Sequence, residues 1–121
     1  MNKIESKSWF ERAEKDLKAA KDSFTSGNYD WACFQSHQAV EKALKAVYIE
    51  KSNELIKTHD LVFLAKKIHA SQAIIDNCKI LSVLYVATRY PDKSSEYTEE
   101  ETNTFIKMAL EVLTWIKKTL S

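Results

Sequence analysis

The sequence predicts an all-α fold, an antiparallel up-and-down bundle of four long helices plus one short helix. Three observations carry that expectation. One glycine and one proline in 121 residues leave too few turn formers for an all-β chain. Apolar residues recur at spacings of three and four in five separate stretches. Hydrophobic residues make up 45% and charged residues 29%, the balance of a globular rather than a disordered chain. At this length residues 1–121 read as one domain, with enough chain to bury a core.

The first helix is expected to start at Ser6 or Ser8 as N-cap and to run to about Phe24, with Phe10, Ala13, Leu17, Ala20 and Phe24 on one stripe. Gly27 supplies the stop, because glycine takes the left-handed conformation at no steric cost. Asp30 then caps a second helix from about Trp31 to Glu50, whose broad apolar face suits a central position. Residues 51–57 are polar and read as a connection. Thr58 or Asp60 caps a short third helix carrying Leu61, Leu64, Ala65 and Ile68. A fourth helix begins near Ser71 and stops near Tyr90, since Pro91 disfavours helical geometry before it and has no backbone donor. Thr98 caps a fifth, whose first turn holds Glu99, Glu100 and Glu101 against the positive end of the helix dipole. The chain has no internal repeat and no low-complexity stretch.

Composition also excludes some roles. A net charge of +1, with acids and bases interleaved, argues against a strong nonspecific polyanion binder. No apolar run approaches the roughly 18 residues of a membrane span. The N-terminal residues lack the apolar core of a signal peptide, which points to the cytoplasm. Cys33 and Cys78 then read as reduced, partly buried thiols, far apart and without metal-ligand spacing. No metal and no cofactor is expected.

The most informative stretch is Ala87-Thr88-Arg89-Tyr90-Pro91-Asp92. It holds the only proline and one of two arginines in a chain otherwise rich in lysine. Arginine presents a rigid fork of donors suited to phosphate or carboxylate. Arg89, Tyr90 and Asp92 therefore form a candidate ligand-binding group at a helix end. Local chemistry alone favours the plainer reading, a helix terminus where Arg89 bonds its own last carbonyls or Asp92.

Four blocks extend this reading. Trp9, Ala13, Asp16 and Leu17 precede Gly27-Asn28-Tyr29-Asp30-Trp31-Ala32 and Gln35-Ser36-His37-Gln38-Ala39-Val40-Glu41-Lys42-Ala43-Leu44-Lys45-Ala46; Thr58-His59-Asp60-Leu61 and Thr88-Arg89-Tyr90-Pro91-Asp92 follow in order. In this the chain resembles the HEPN domain family of prokaryotic helical bundles, from about Trp9 to Leu120. The resemblance implies a homodimer. It also implies a partner, a minimal nucleotidyltransferase that is often encoded beside the gene, with many such pairs acting as toxin and antitoxin. Several branches are metal-independent endoribonucleases, in which an arginine is followed four to six residues later by a histidine, and two protomers join their copies across a cleft.

Arg89 matches that arginine and is the candidate catalytic residue, but Ser94, Ser95 and Glu96 occupy the positions of the histidine. Serine has no group titrating near neutrality and glutamate repels phosphate, so the departure favours a non-catalytic, binding role. An enzyme would need Asp92 or Tyr97 as an unconventional second residue. In some toxin versions a tyrosine two residues beyond the histidine is adenylylated by the partner. With Ser95 in the histidine's place, Tyr97 falls at that position and is the modification candidate.

The remaining candidates have plainer readings beside the functional ones. Cys33 and His37, four apart, share a helical face suited to two metal ligands, but no third ligand follows, and His37 reads better as a core-edge histidine paired with another helix. Lys42 and Lys45 are candidates to hold a nucleotide phosphate or RNA beside Arg89; Glu41, four before Lys45, also fits a solvated ion pair on the helix surface. His59-Asp60 reads as a cap. Trp31, close to a helix start, is core or a partner anchor. Phe34, Tyr48, Leu84 and Tyr85 add apolar surface on more than one side of the second and fourth helices, which predicts a two-fold homodimer pairing the Arg89 regions and burying about 1,600 Å².

Overall fold

A computed structural model describes residues 2–89 and 97–120, with residues 86–89 as backbone only. Among them lie five helices: α1 (Ile4–Thr25), α2 (Tyr29–Ser52), α3 (Leu61–Lys67), α4 (Gln72–Arg89) and α5 (Glu99–Leu120). α1 and α2 form a hairpin across Gly27, whose φ of 81° is the left-handed value that glycine accepts without strain. α2 packs against all four other helices. Its central place explains why its apolar face is so broad, with Ala32, Ala39, Val40, Ala43, Leu44 and Val47 fully buried. Leu61 and Leu64 of α3, Leu81 and Leu84 of α4, and Ile116 of α5 close the core around it. Leu84, expected to add open surface, is therefore core. No described helix is long and apolar enough to cross a membrane.

The helix ends divide into those decided locally and those decided at a distance. Thr98 and Glu101 form a reciprocal capping box, with Glu101 N–H donating to Thr98 Oγ1 at 3.1 Å and Thr98 N–H to Glu101 Oε1 at 2.9 Å. Asp60 caps α3 by accepting from Phe63 N–H at 3.0 Å, while Thr58 Oγ1 accepts from Asp60 N–H. α1, by contrast, begins at Ile4, ahead of both predicted serine caps, and Ser6 is fully buried inside it. The cause is Glu50 at the far end of α2. Its carboxylate accepts from the backbone N–H groups of Asn2 and Lys3 at 3.1–3.2 Å, supplying negative charge where the α1 dipole is positive. Those same bonds hold the Glu50 carboxyl below its usual pKa. Asp30 does not cap α2 either. The helix starts at Tyr29, and Asp30 accepts instead from the Tyr97 backbone N–H at 3.2 Å.

Candidate functional site: a buried carboxylate linking a lysine and a histidine

Glu41 lies on the core side of α2, in helical register with His37, Leu44, Lys45 and Tyr48. A carboxylate in that position needs donors, because an unpaired buried charge is strongly unfavourable. Two come to it. Lys45 Nζ donates to Oε2 at 2.9 Å, one turn along α2, and His59 Nδ1 meets Oε1 at 2.9 Å from the segment just before α3. The side chains of Glu41 and Lys45 are 5% and 8% exposed, so this is a buried pair and not the solvated surface pair that the spacing suggested. The Lys45 ammonium also stands 5.7 Å from the centre of the Trp9 ring of α1, within cation–π range. The next lysine, Lys42, reaches Asp16 of α1 at 2.6 Å.

His59 turns outward from this anchor. Its side chain is 55% exposed, and its ring stacks on Tyr85 of α4 with centroids 4.7 Å apart. A carboxylate accepts, so Nδ1 is the donor in this bond. Asp60 alone does the capping expected of His59-Asp60. Tyr85 continues an aromatic row: Phe34 lies 6.1 Å from it and Trp31 stacks on Phe34 at 5.4 Å. Trp31 is 57% exposed, which settles it on the surface. With its amide oriented to satisfy its neighbours, Gln35 accepts from the Trp31 indole N–H at 3.0 Å and holds the ring rigidly.

His37 departs from its expected place at the core edge. It is fully buried, its Nδ1 lies 3.3 Å from Gln38 Oε1 on its own helix, and its ring is 5.2 Å from Tyr85. Burial pushes its pKa below the ordinary histidine value, with Glu41 acting the other way. Cys33 Sγ donates to Thr102 Oγ1 at 3.6 Å, and burial pushes its thiol up to about 11. Among the described residues no three histidines, cysteines or carboxylates gather as metal ligands.

The positions singled out in the sequence separate accordingly. Arg89 is the last residue of α4, one turn beyond Tyr85, and its side chain lies outside the described residues, as do Tyr90, Asp92, Ser94, Ser95 and Glu96. Lys42 and Lys45, meant to flank an anion beside Arg89, are each held by a carboxylate of the protein itself. Tyr97 is half-buried, packs edge-on against Phe105 at 5.5 Å, and lines a surface hollow with residues 27–31, Trp31 included. The Glu41–His59 link is a feature of the site that sequence reasoning missed. Its only trace was an acid set on the apolar face of the second helix.

A five-helix bundle with a buried carboxylate on its central helix and an arginine closing the fourth defines a class, and comparison with known proteins places the chain within it. The model of the HEPN domain matches residues 6–119. The chain belongs to the HEPN domain family. Among solved structures it is similar to TT1696 from Thermus thermophilus, at 26% identity and a TM-score of 0.89, over 98% of this chain and 100% of that one. It is also similar to ST0689, an archaeal HEPN homologue, at 28% identity and a TM-score of 0.82, again over 98% and 100%. No curated protein matches the chain significantly.

Proposed function

We propose that this HEPN protein works as the binding half of a two-component unit: a homodimer that engages a minimal nucleotidyltransferase, as in toxin–antitoxin pairs. The observation that carries this reading is the hollow shared by Trp31 and Tyr97. An exposed tryptophan fixed by a hydrogen bond and a ring stack is the kind of rigid anchor that dominates protein interfaces. Beside it stands the candidate tyrosine for nucleotide transfer: a bond from Tyr97 Oη to the α-phosphorus of ATP would form, the bond from that phosphorus to pyrophosphate would break, and the phenol proton would pass to a base of the partner enzyme or to water. Ile80 and Val83, both exposed on the outward face of α4, support a second apolar contact between two copies. In the proposed dimer the two Arg89 ends face one cleft.

Co-expression with the product of the adjacent gene tests this directly. The expected result is a stable complex, and an AMP-sized mass gain on incubation with ATP that Tyr97→Phe abolishes. Two well-folded proteins that fail to associate would end the reading.

A second reading, cleavage of RNA at a site containing Arg89, is favoured by one observation. The Glu41–His59 pair stands against Tyr85, a single turn from Arg89.

A further inference from the structure

α1 and α5 both pack on α2 and meet each other along one seam. Asp30, at the start of α2, accepts from the Tyr97 backbone N–H and so brings the start of α5 to the end of α1. The two helices therefore run antiparallel. Between them lies a groove of about 320 Å³ that shares no lining residue with the hollow of Trp31 and Tyr97. We propose that this groove docks one helix of a partner protein, with an apolar stripe on its buried face and acidic side chains toward both ends.

The lining has the spacing of a helix-binding seam. α1 contributes positions 10, 14, 17 and 21, and α5 contributes 110, 113, 114 and 117, in steps of three and four on both sides. Rows of that kind leave a trough that accepts the ridge of a third helix. Phe10, Leu17 and Leu113 form a nearly buried floor, and Leu110 rises beside them 43% exposed. From Phe10 to Lys21 the helix advances about 16 Å, enough for about three turns of a partner.

Charge decides which kind of helix fits. The chain as a whole has 18 basic and 17 acidic residues, yet this groove sets three lysines, Lys18, Lys21 and Lys117, against one acid, Glu14. Lys18 and Lys21 lie toward the end of α1, Lys117 lies in the last turn of α5 at the opposite end, and Glu14 stands between them. Lysine stems cover apolar surface while their ammonium heads reach a carboxylate at the rim. Lys18 meets Asp22 at 2.9 Å, but both side chains are exposed, and a pair of that kind holds its lysine weakly. A nucleic acid fits less well. Its phosphates would pass over Glu14, and the only ring lining the groove, Phe10, is buried in the floor and offers no face for stacking.

The test uses the full chain and three fluorescently labelled peptides of about 15 residues, long enough for the groove. The first carries leucines at i, i+4, i+7 and i+11, glutamates beside them at both ends and a lysine between. The second has every charge reversed, and the third keeps the charges of the first but replaces its leucines with serine. Anisotropy at low salt is expected to show saturable binding of the first peptide alone, weakened about tenfold or more by Leu110→Asp and by Lys21→Glu. Both positions are exposed, so both variants are expected to keep the wild-type circular dichroism and melting temperature. Equal binding of the serine peptide would reduce the groove to bare charge and overturn the proposal. So would a failure of the first peptide to bind, or binding that Leu110→Asp leaves unchanged. A wild-type assembly that Leu110→Asp splits into monomers in sedimentation would assign the groove to a second copy and equally overturn it.

Discussion

Replacing Glu41 by alanine is expected to destabilise the fold by about 3–5 kcal/mol, the range for removing one partner of a buried ion pair. The figure rests on burial: with side chains 5% and 8% exposed, Lys45 would be left charged, unsolvated and without its carboxylate. The neighbouring Trp9 ring offers only the face of an aromatic system in exchange. In a domain whose total stability is typically about 5–15 kcal/mol, that loss is a large share. At about 4 °C per kcal/mol for a chain of this length, Tm falls by roughly 12–20 °C. Urea denaturation followed by tryptophan fluorescence measures it. The control is the double variant Glu41→Leu with Lys45→Met, which removes both charges at similar volume and is expected to recover most of the loss. A single-variant cost below about 1 kcal/mol is the value of an exposed pair. It would show that the Glu41–Lys45 link is solvated and that the reasoning from burial is wrong.

Two further outcomes follow from particular groups. Thr98→Ala removes the acceptor that satisfies Glu101 N–H and is expected to cost about 1 kcal/mol by the same denaturation assay. Burial pushes the Cys78 thiol from 9.0 up to about 12, so the folded state holds its proton where the unfolded chain has released it. The associated stability is complete below pH 9 and is lost as pH rises through the folded value, and Cys78→Ala is expected to flatten that alkaline decline in thermal melts.

Most of the architecture was legible in the sequence because its signals are local. Apolar residues three and four apart fall on one side of a helix wherever that helix packs, and Gly27, Asp60 and Thr98 each act on backbone within three residues. The start of α1 was not legible, since Ser6 is a good cap by type and Glu50, which holds that end in its place, arrives from the far end of the next helix. The site was opaque for the same reason. A spacing of four between Glu41 and Lys45 says that they meet, and only the approach of Trp9 from α1 and of His59 from the segment before α3 shows how closely they are covered. His59 looked like part of a cap because its neighbour Asp60 is one. Its true partner lies on another helix, 18 positions earlier.

The central position of α2 joins the chemistry of this protein to its mechanics. One rod carries the floor of the core and, on the same buried face, the carboxylate that holds His59. Each residue advances a helix by about 1.5 Å and turns it by about 100°. A single insertion between the hairpin turn and Glu41 would therefore swing the acid away from His59 and drive a core leucine toward water in the same step. Such a site cannot be retuned by sliding the helix that bears it. It changes by substitution around a fixed axis, so divergence within this architecture is expected in the groups that approach Glu41 and not in where Glu41 stands.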